Sequence, residues 1–318
     1  MSGILLELRV GSLSESINFQ ELRHLPRRFA TFLLSAALAV LAALAQPACA
    51  QEDKDNIAGP YVPTPWVIVD EMLKLADVSA GDVVYDLGSG DGRLVITAAK
   101  RHGARGVGVE LQTELVELAR IEARQQGVEN RAAFIAGDLF EANVSGASVV
   151  MLYLLPRFVT RLVPTLRAEL APGSRIVSHD YPLSPWPPDK TLSFDVPEKE
   201  AISGTPRTVL YYYVVPARVG GRWAVALPKS LVAAPLTLSI TQEPDKLFGD
   251  VLVDKQVLEL RELAVRSDSI RFWLFHRGRM LHFQGKVSGA EMSGEVRSPA
   301  GVERWRGHLL DSAKPQGS

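Results

Sequence analysis

After residue 65 the chain changes rhythm at short intervals. Val67, Ile68, Met72 and Leu75 recur at helical spacing, so residues 66–76 predict an amphipathic helix. Val83-Val84-Tyr85 is a short apolar strand that runs into Asp86-Leu87-Gly88-Ser89-Gly90-Asp91-Gly92-Arg93. A helix follows, with Leu94, Val95, Ala98 and Ala99 inward and Gly103 as its stop. Residues 106–110 predict the next strand. Thr113 caps the helix after it, Glu114 and Glu117 sit in its first turns, and Gly127 ends it. Residues 132–136, 148–153 and 175–179 predict three more strands. The last two are separated by helical sequence over 157–170 that Pro164 is expected to break. Strands alternating with helices imply a mainly parallel sheet covered on both faces. Residues 192–196 and 209–215 carry β-type side chains with no clear helix between them, which suits an antiparallel hairpin at the sheet edge.

From about residue 220 the period shortens to two. Leu236, Leu238 and Ile240 alternate, as do Val251 and Val253, Ile270, Phe272 and Leu274, and Leu281, Phe283 and Val287. Residues 292–296 and 305–309 continue the series, with turns at Gly220-Gly221, Arg277-Gly278 and Pro299-Ala300-Gly301. This predicts an antiparallel meander without helices, a small sandwich or half-barrel of about 90 residues. The fold class is thus α/β, a Rossmann-like doubly wound sheet over 51–217, followed by a small antiparallel all-β domain over 218–311 and a loose tail over 312–318.

The front of the chain is different. Arg27 and Arg28 precede an uncharged apolar run over 29–45, followed by Gln46, Pro47 and Ala48-Cys49-Ala50. That is the layout of a secretory signal, with cleavage expected after Ala50. The rival is an uncleaved anchor in the inner membrane, because about 17–25 apolar residues can cross a bilayer. Cys49 is the one cysteine of the 318 residues, which excludes an intramolecular disulfide and a thiolate zinc cluster. Hydrophobic residues make up 47% and charged residues 22%, which excludes general disorder. The net charge of −1 gives no bulk attraction to nucleic acid or to an anionic membrane. No nucleic-acid partner and no metal are expected, and membrane association is expected only through residues 29–45.

The candidate chemistry lies on the turn after the first strand. Asp86, Gly88, Gly90 and Gly92 stand where a strand enters a helix, so the backbone can bend tightly and approach a ligand. A nicotinamide fingerprint reads G-x-G-x-x-G. Here the spacing is G-x-G-x-G, and Asp86 stands two positions before the first glycine. A carboxylate there repels a pyrophosphate and welcomes an ammonium. Glu110 ends the second strand, where a carboxylate can take both hydroxyls of a ribose. Asp138, followed by Leu139, ends the third, where it can accept from an adenine amino group. Each piece alone has a plainer reading: helix cap, tight turn, solvated charge, Asx-turn. In this order, at the carboxyl ends of adjacent strands, they point to S-adenosylmethionine.

The stretch 84–93 resembles motif I of the class I, seven-stranded methyltransferases. Pro60-Tyr-Val-Pro-Thr-Pro65, Gly137-Asp-Leu-Phe140, Leu152-Tyr-Leu-Leu-Pro156 and Ser178-His-Asp180 narrow the resemblance. Together they look like the bacterial relatives of the mitochondrial lysine methyltransferases that act on the ATP synthase c subunit and the adenine nucleotide translocator. That group is in turn similar to the non-SET nucleosomal lysine methyltransferases. The resemblance covers about residues 58–216. It implies a cofactor contact from Tyr61 and Thr64, and it places Leu152, Tyr153 and Leu154 beside the reactive methyl. The mitochondrial enzymes lack the β domain, so the resemblance does not carry a substrate.

Methyl transfer is an in-line displacement, and a lysine acceptor must first lose a proton. Tyr61, Trp66 and Tyr153 are candidate aromatic walls. Tyr153, His179 and Asp180 are the candidate catalytic residues, the last two as base and orienter at the end of strand five. The expected partner is a methyl acceptor such as a protein lysine. A second reading is an exported nucleoside-binding or sensing module without turnover, in which the β domain contacts the partner. Export carries a conflict, because S-adenosylmethionine is made in the cytoplasm. An anchor with the domain facing the cytoplasm would remove it, but Arg27 and Arg28 argue against that orientation.

Overall fold

The apolar rhythm of the first half resolves into a seven-stranded sheet. The computed structural model describes residues 61–312 apart from residue 233; the export signal expected over 1–50 and the tail past 312 lie outside the described residues. Strands β1 (Val83–Leu87), β2 (Arg105–Glu110), β3 (Ala132–Ala136), β4 (Val149–Leu152) and β5 (Arg175–His179) are parallel. The hairpin β6 (Lys190–Asp195) and β7 (Arg207–Val214) adds antiparallel to β5, giving the order β3-β2-β1-β4-β5-β7-β6. The order reverses between β1 and β4, and ligands of open α/β sheets bind outside the carboxyl ends at such a switch.

Four longer helices cover this sheet: α1 (Trp66–Leu75), α2 (Arg93–His102), α3 (Thr113–Gln125) and α4 (Pro156–Glu169). Alternation along the central strands sends Val149, Met151 and Val177 toward α1, and Val150, Leu152 and Ile176 toward α4. Both faces are therefore buried, as unbroken apolar strands require. Among the described residues no helix is long and apolar enough to cross a membrane.

Three local expectations are corrected. Helix α4 runs through Pro164 without a break. It buries Phe158, Val159, Leu162, Val163 and Leu166, at ~1.5–3 kcal/mol each. That outweighs the ~3 kcal/mol that a proline costs in a helix interior. Thr113 is the first helical residue of α3, not its cap, and no side chain caps that end. A seven-residue helix, α5 (Pro197–Ser203), joins β6 to β7 where none was expected.

The second half forms a nine-stranded antiparallel sheet. Its strands are β8 (Gly221–Ala226), β9 (Leu236–Gln242), β10 (Leu247–Val253), β11 (Gln256–Glu259), β12 (Arg261–Arg266), β13 (Ser269–His276), β14 (Arg279–Ser288), β15 (Glu291–Ser298) and β16 (Gly301–Ser312). The order β11-β10-β9-β8-β16-β15-β14-β13-β12 joins two meanders through the β8–β16 pair. The sheet curls until its two edge strands follow one another in the chain: β11 runs into β12 through Leu260, whose N–H extends the β10–β11 ladder by donating to Gly249 O at 2.9 Å. It is a nearly closed barrel, beyond the half-barrel that the alternation predicts, because the closing strands β11 and β12 are short and mostly exposed and so show no clear alternation of their own. The interior is filled by rings. Phe272 and Phe283 stack at 4.4 Å, and Trp305 stands edge-on to both. The barrel meets the first sheet at its amino-terminal strand ends: Ala217 N–H donates to Ser267 O at 2.7 Å, and Arg218 donates to Ala168 O.

Candidate active site

A cavity of about 250 Å³ opens at the carboxyl ends of β1, β2 and β4. The turn after β1 forms its floor. Gly88, Gly90 and Gly92 all have positive φ, but they do different work. A side chain at Gly90 would run into the Tyr61 ring, and one at Gly88 would come within 2.9 Å of Leu154. These two glycines let the neighbouring walls close on the cavity. Gly92 faces away from it, toward Phe134 and Ala119 under α2 and α3.

Asp86 lies in the floor and is buried. Burial, then the Glu110 carboxylate, then that of Asp91, hold its carboxyl well above the usual range. Both charged groups that raise it are carboxylates, an environment suited to a cation. Glu110 is held in place at both oxygens: Gly90 N–H donates to Oε2 at 2.9 Å and Gln112 N–H to Oε1 at 3.0 Å. A carboxylate so fixed keeps lone pairs for a diol. Asp138 and Leu139 line a small adjoining hollow that shares Gly88 and Glu110 with the main cavity. Asp138 Oδ1 accepts from Phe140 N–H at 2.8 Å, an Asx-turn that orients the carboxylate without consuming it. An ammonium place, a diol place and an adjoining hollow in this order fit S-adenosylmethionine.

The wall over the floor is the segment from Tyr61 to Thr64, which lines the cavity as expected. Its fastening is Arg93, a residue that sequence reasoning missed although it directly follows the last glycine of the turn. Arg93 Nη1 donates to Thr64 O at 2.8 Å, and its Nε and Nη2 hold the Asp91 carboxylate. Burial works against the Asp91 charge, but the guanidinium outweighs it and holds that carboxyl below the usual range. Trp66, expected as a wall, is half exposed outside the cavity, with Arg93 5.0 Å over its ring.

The far end of the cavity is formed by Tyr153, Tyr181 and Ser203. His179 and Asp180 are not in its lining. His179 is fully buried beneath Tyr153, ring centroids 4.0 Å apart. Neither of its ring nitrogens has a hydrogen-bond partner, and burial pushes it down to about 4. Its Nε2 is 3.4 Å from Asp180 Oδ1, but a neutral, unaligned imidazole makes no ion pair there. Asp180 has a left-handed backbone at φ 62. It is fixed by Val209, which accepts from its N–H at 2.7 Å, and by Lys199, whose Nζ lies 2.7 Å from Oδ2. Lys199 is itself buried and also donates to Arg207 O. The pair ties α5 to the end of β5. Burial, then Asp180 and Tyr181, push the Tyr153 phenol up to about 12, so it stays protonated at neutral pH.

Comparison with known proteins finds methyltransferases. The model of the ANTKMT methyltransferase domain matches residues 86–190. A protein-lysine N-methyltransferase of Saccharolobus islandicus is 40% identical over 157 residues, 49% of this chain and 93% of the relative. The Xenopus laevis lysine N-methyltransferase of the ATP synthase c subunit is 34% identical over 160 residues, 50% of this chain and 70% of the relative. Among solved structures, an RNA methyltransferase from Salinibacter ruber in complex with S-adenosyl-L-homocysteine is 47% identical, with a TM-score of 0.45 over 50% of this chain and 96% of that one. The chain belongs to the ANTKMT-type methyltransferase family, as a methyltransferase that uses S-adenosylmethionine.

Proposed function

We propose that the protein methylates a lysine amine of a protein acceptor. The observation that carries this is the polarity of the cavity. Three carboxylates, Asp86, Asp91 and Glu110, gather at one end, and Tyr153, Tyr181 and Ser203 stand at the other, with Leu154 and Leu155 also in the lining. An amine taken out of water against the tyrosine rings and leucines loses hydration, which favours its neutral form with a free lone pair. The relative that is 40% identical is a protein-lysine methyltransferase, which supports an amine acceptor.

The cofactor supplies an electrophilic methyl on a sulfonium. The chain's part is to hold and to align. Asp86 binds the ammonium of the amino-acid end, Glu110 the ribose hydroxyls, and Asp138 and Leu139 the adenine. The segment 61–64 closes over them. Tyr153 and Tyr181 orient the acceptor nitrogen on the line of displacement and exclude water. Tyr153 remains a phenol and orients by its hydroxyl. His179 and Asp180 support that wall from behind.

The test is label transfer. Full-length protein, labelled S-adenosylmethionine and a cell lysate are combined, and the labelled residue is identified by mass spectrometry. Methyl-lysine in a protein is the expected result. Retained cofactor binding with no label transferred to any protein would overturn it in favour of the sensing module. Residues 1–50 are proposed as an export address in the same reading, and a mature start at Gln51 is the expected outcome of N-terminal sequencing.

A further inference from the structure

The two ends of the barrel differ in character. At one end Ser267 meets Ala217, beside the amino-terminal strand ends of the first sheet. The other end carries residues 227–232 and three hairpin tips, at Asp254-Lys255, Arg277-Gly278 and Pro299-Ala300. The register places an apolar pair or partner beside each tip: Leu252 opposite Val257, Phe275 opposite Met280, and Val302 opposite Arg297. Val257 is 69% exposed, Val302 57%, Phe275 52% and Leu252 48%. From residue 220 on, only Phe248 and Leu310 among the described large hydrophobic residues are comparably exposed. Four of six therefore gather on one rim, which is more than the scatter of single apolar residues on ordinary surfaces.

The same rim is basic. Lys229, Lys255, Arg277, Arg279 and Arg297 are exposed there, against the carboxylates of Asp254 and Glu303. Asp254 is taken by Arg277 at 2.6 Å, a pair that also draws two of the tips together. Glu303 accepts from the Ser230 hydroxyl at 2.8 Å. A chain of net charge −1 has thus sorted its charge, and the rim holds a local excess of cations around apolar tips.

We infer that this rim docks on an anionic lipid surface. Apolar side chains at hairpin tips can enter the headgroup boundary, while Lys and Arg beside them stay with the phosphates. Three of the four exposed apolar residues are aliphatic. Aliphatic side chains bury in acyl chains and give bases little to stack on, so lipid is favoured over single-stranded nucleic acid. The methyl-transfer cavity opens at the carboxyl ends of the parallel strands, away from the barrel, and docking leaves it uncovered.

The test must separate the rim from residues 29–45. Full-length protein with Cys49→Ser receives a single cysteine at Val257, at Phe275, or at Ile121 on α3 as control. Each is labelled with an environment-sensitive fluorophore and mixed with phosphatidylcholine vesicles containing about one-third phosphatidylglycerol, or with pure phosphatidylcholine. Calorimetry with S-adenosylmethionine checks that each variant is folded. A blue shift is expected at 257 and 275 but not at 121, only with the anionic vesicles, and lost at high salt. The combined Arg277→Glu, Arg279→Glu and Arg297→Glu variant should weaken it at least about tenfold. No shift at 257 and 275 would overturn the inference, whether or not the chain sediments with vesicles. So would an equal shift with pure phosphatidylcholine, or a shift given by a single-stranded oligonucleotide in place of the anionic vesicles.

Discussion

Arg93 reaches back across the cofactor floor and donates to the main-chain carbonyl of Thr64 at 2.8 Å. The same guanidinium holds Asp91, so one side chain fastens the wall segment to the turn after β1. Lysine cannot make this fork. Arg93→Lys should therefore loosen the wall and raise the dissociation rate of S-adenosylmethionine about tenfold, with little change in the Michaelis constant for the acceptor. Stopped-flow binding and steady-state kinetics check the two halves of this statement.

Asp86 should trade stability for binding. Its carboxyl is raised when no cofactor is bound, so the folded chain takes up its proton more readily than the unfolded chain does. The stability this gives is present at low pH and is lost as pH rises through the raised value. Asp86→Asn removes the buried like-charge contact. It is expected to raise the melting temperature of the cofactor-free protein by ~3 °C at about pH 8 while weakening cofactor binding at least tenfold. An ammonium favours the ionised carboxylate, so cofactor binding should release protons and tighten with rising pH. Calorimetry in two buffers of different ionisation enthalpy reads that release directly.

His179 should make the fold sensitive to mild acid. Its pKa is lowered from 6.5 to about 4 by burial. Between those values the unfolded chain binds a proton that the folded chain refuses, so stability falls as pH falls. The full effect is roughly 3 kcal/mol. His179→Phe keeps a ring under Tyr153 and removes the titration. Denaturant unfolding at about pH 7 and about pH 4.5 should show a smaller loss in the variant.

Tyr153 should matter to turnover and not to cofactor binding. Tyr153→Phe is expected to lower kcat about tenfold and to leave the cofactor Kd within about twofold. Since its phenol is pushed up to about 12, no limb of the wild-type pH profile below about pH 10 should vanish in the variant.

Lys199 and Asp180 should behave as a unit. Lys199→Met leaves Asp180 without its cation and should cost roughly 3 kcal/mol of stability. Adding Asp180→Asn should restore a good part of it. A double-mutant cycle by denaturant unfolding measures the coupling.

Local pattern made a large part of this protein legible. The strand-turn-helix at Asp86 to Arg93 announces itself because glycines at tight spacing and a carboxylate before them have few other uses. Glu110 and Asp138 follow because alternation of strand and helix puts strand ends on one side of the sheet. Where side chains face both an apolar layer and a regular period, as in β13 and β14, the strands were equally plain. Pro164, α5 and the closing strands β11 and β12 were not, because each is decided by what packs against it and not by its own residues.

The sequence by itself determined the α/β architecture, the cofactor and the order of the acidic residues at the strand ends, since these follow from periodicity and from local backbone chemistry. Only the tertiary structure decided which neighbours those residues keep. It buried His179 behind Tyr153, paired Asp180 with Lys199, and turned Gly92 into the core. It closed the barrel and gathered its apolar tips with five cations on one rim. These are contacts between distant segments, set by how the faces pack, and no local period encodes them.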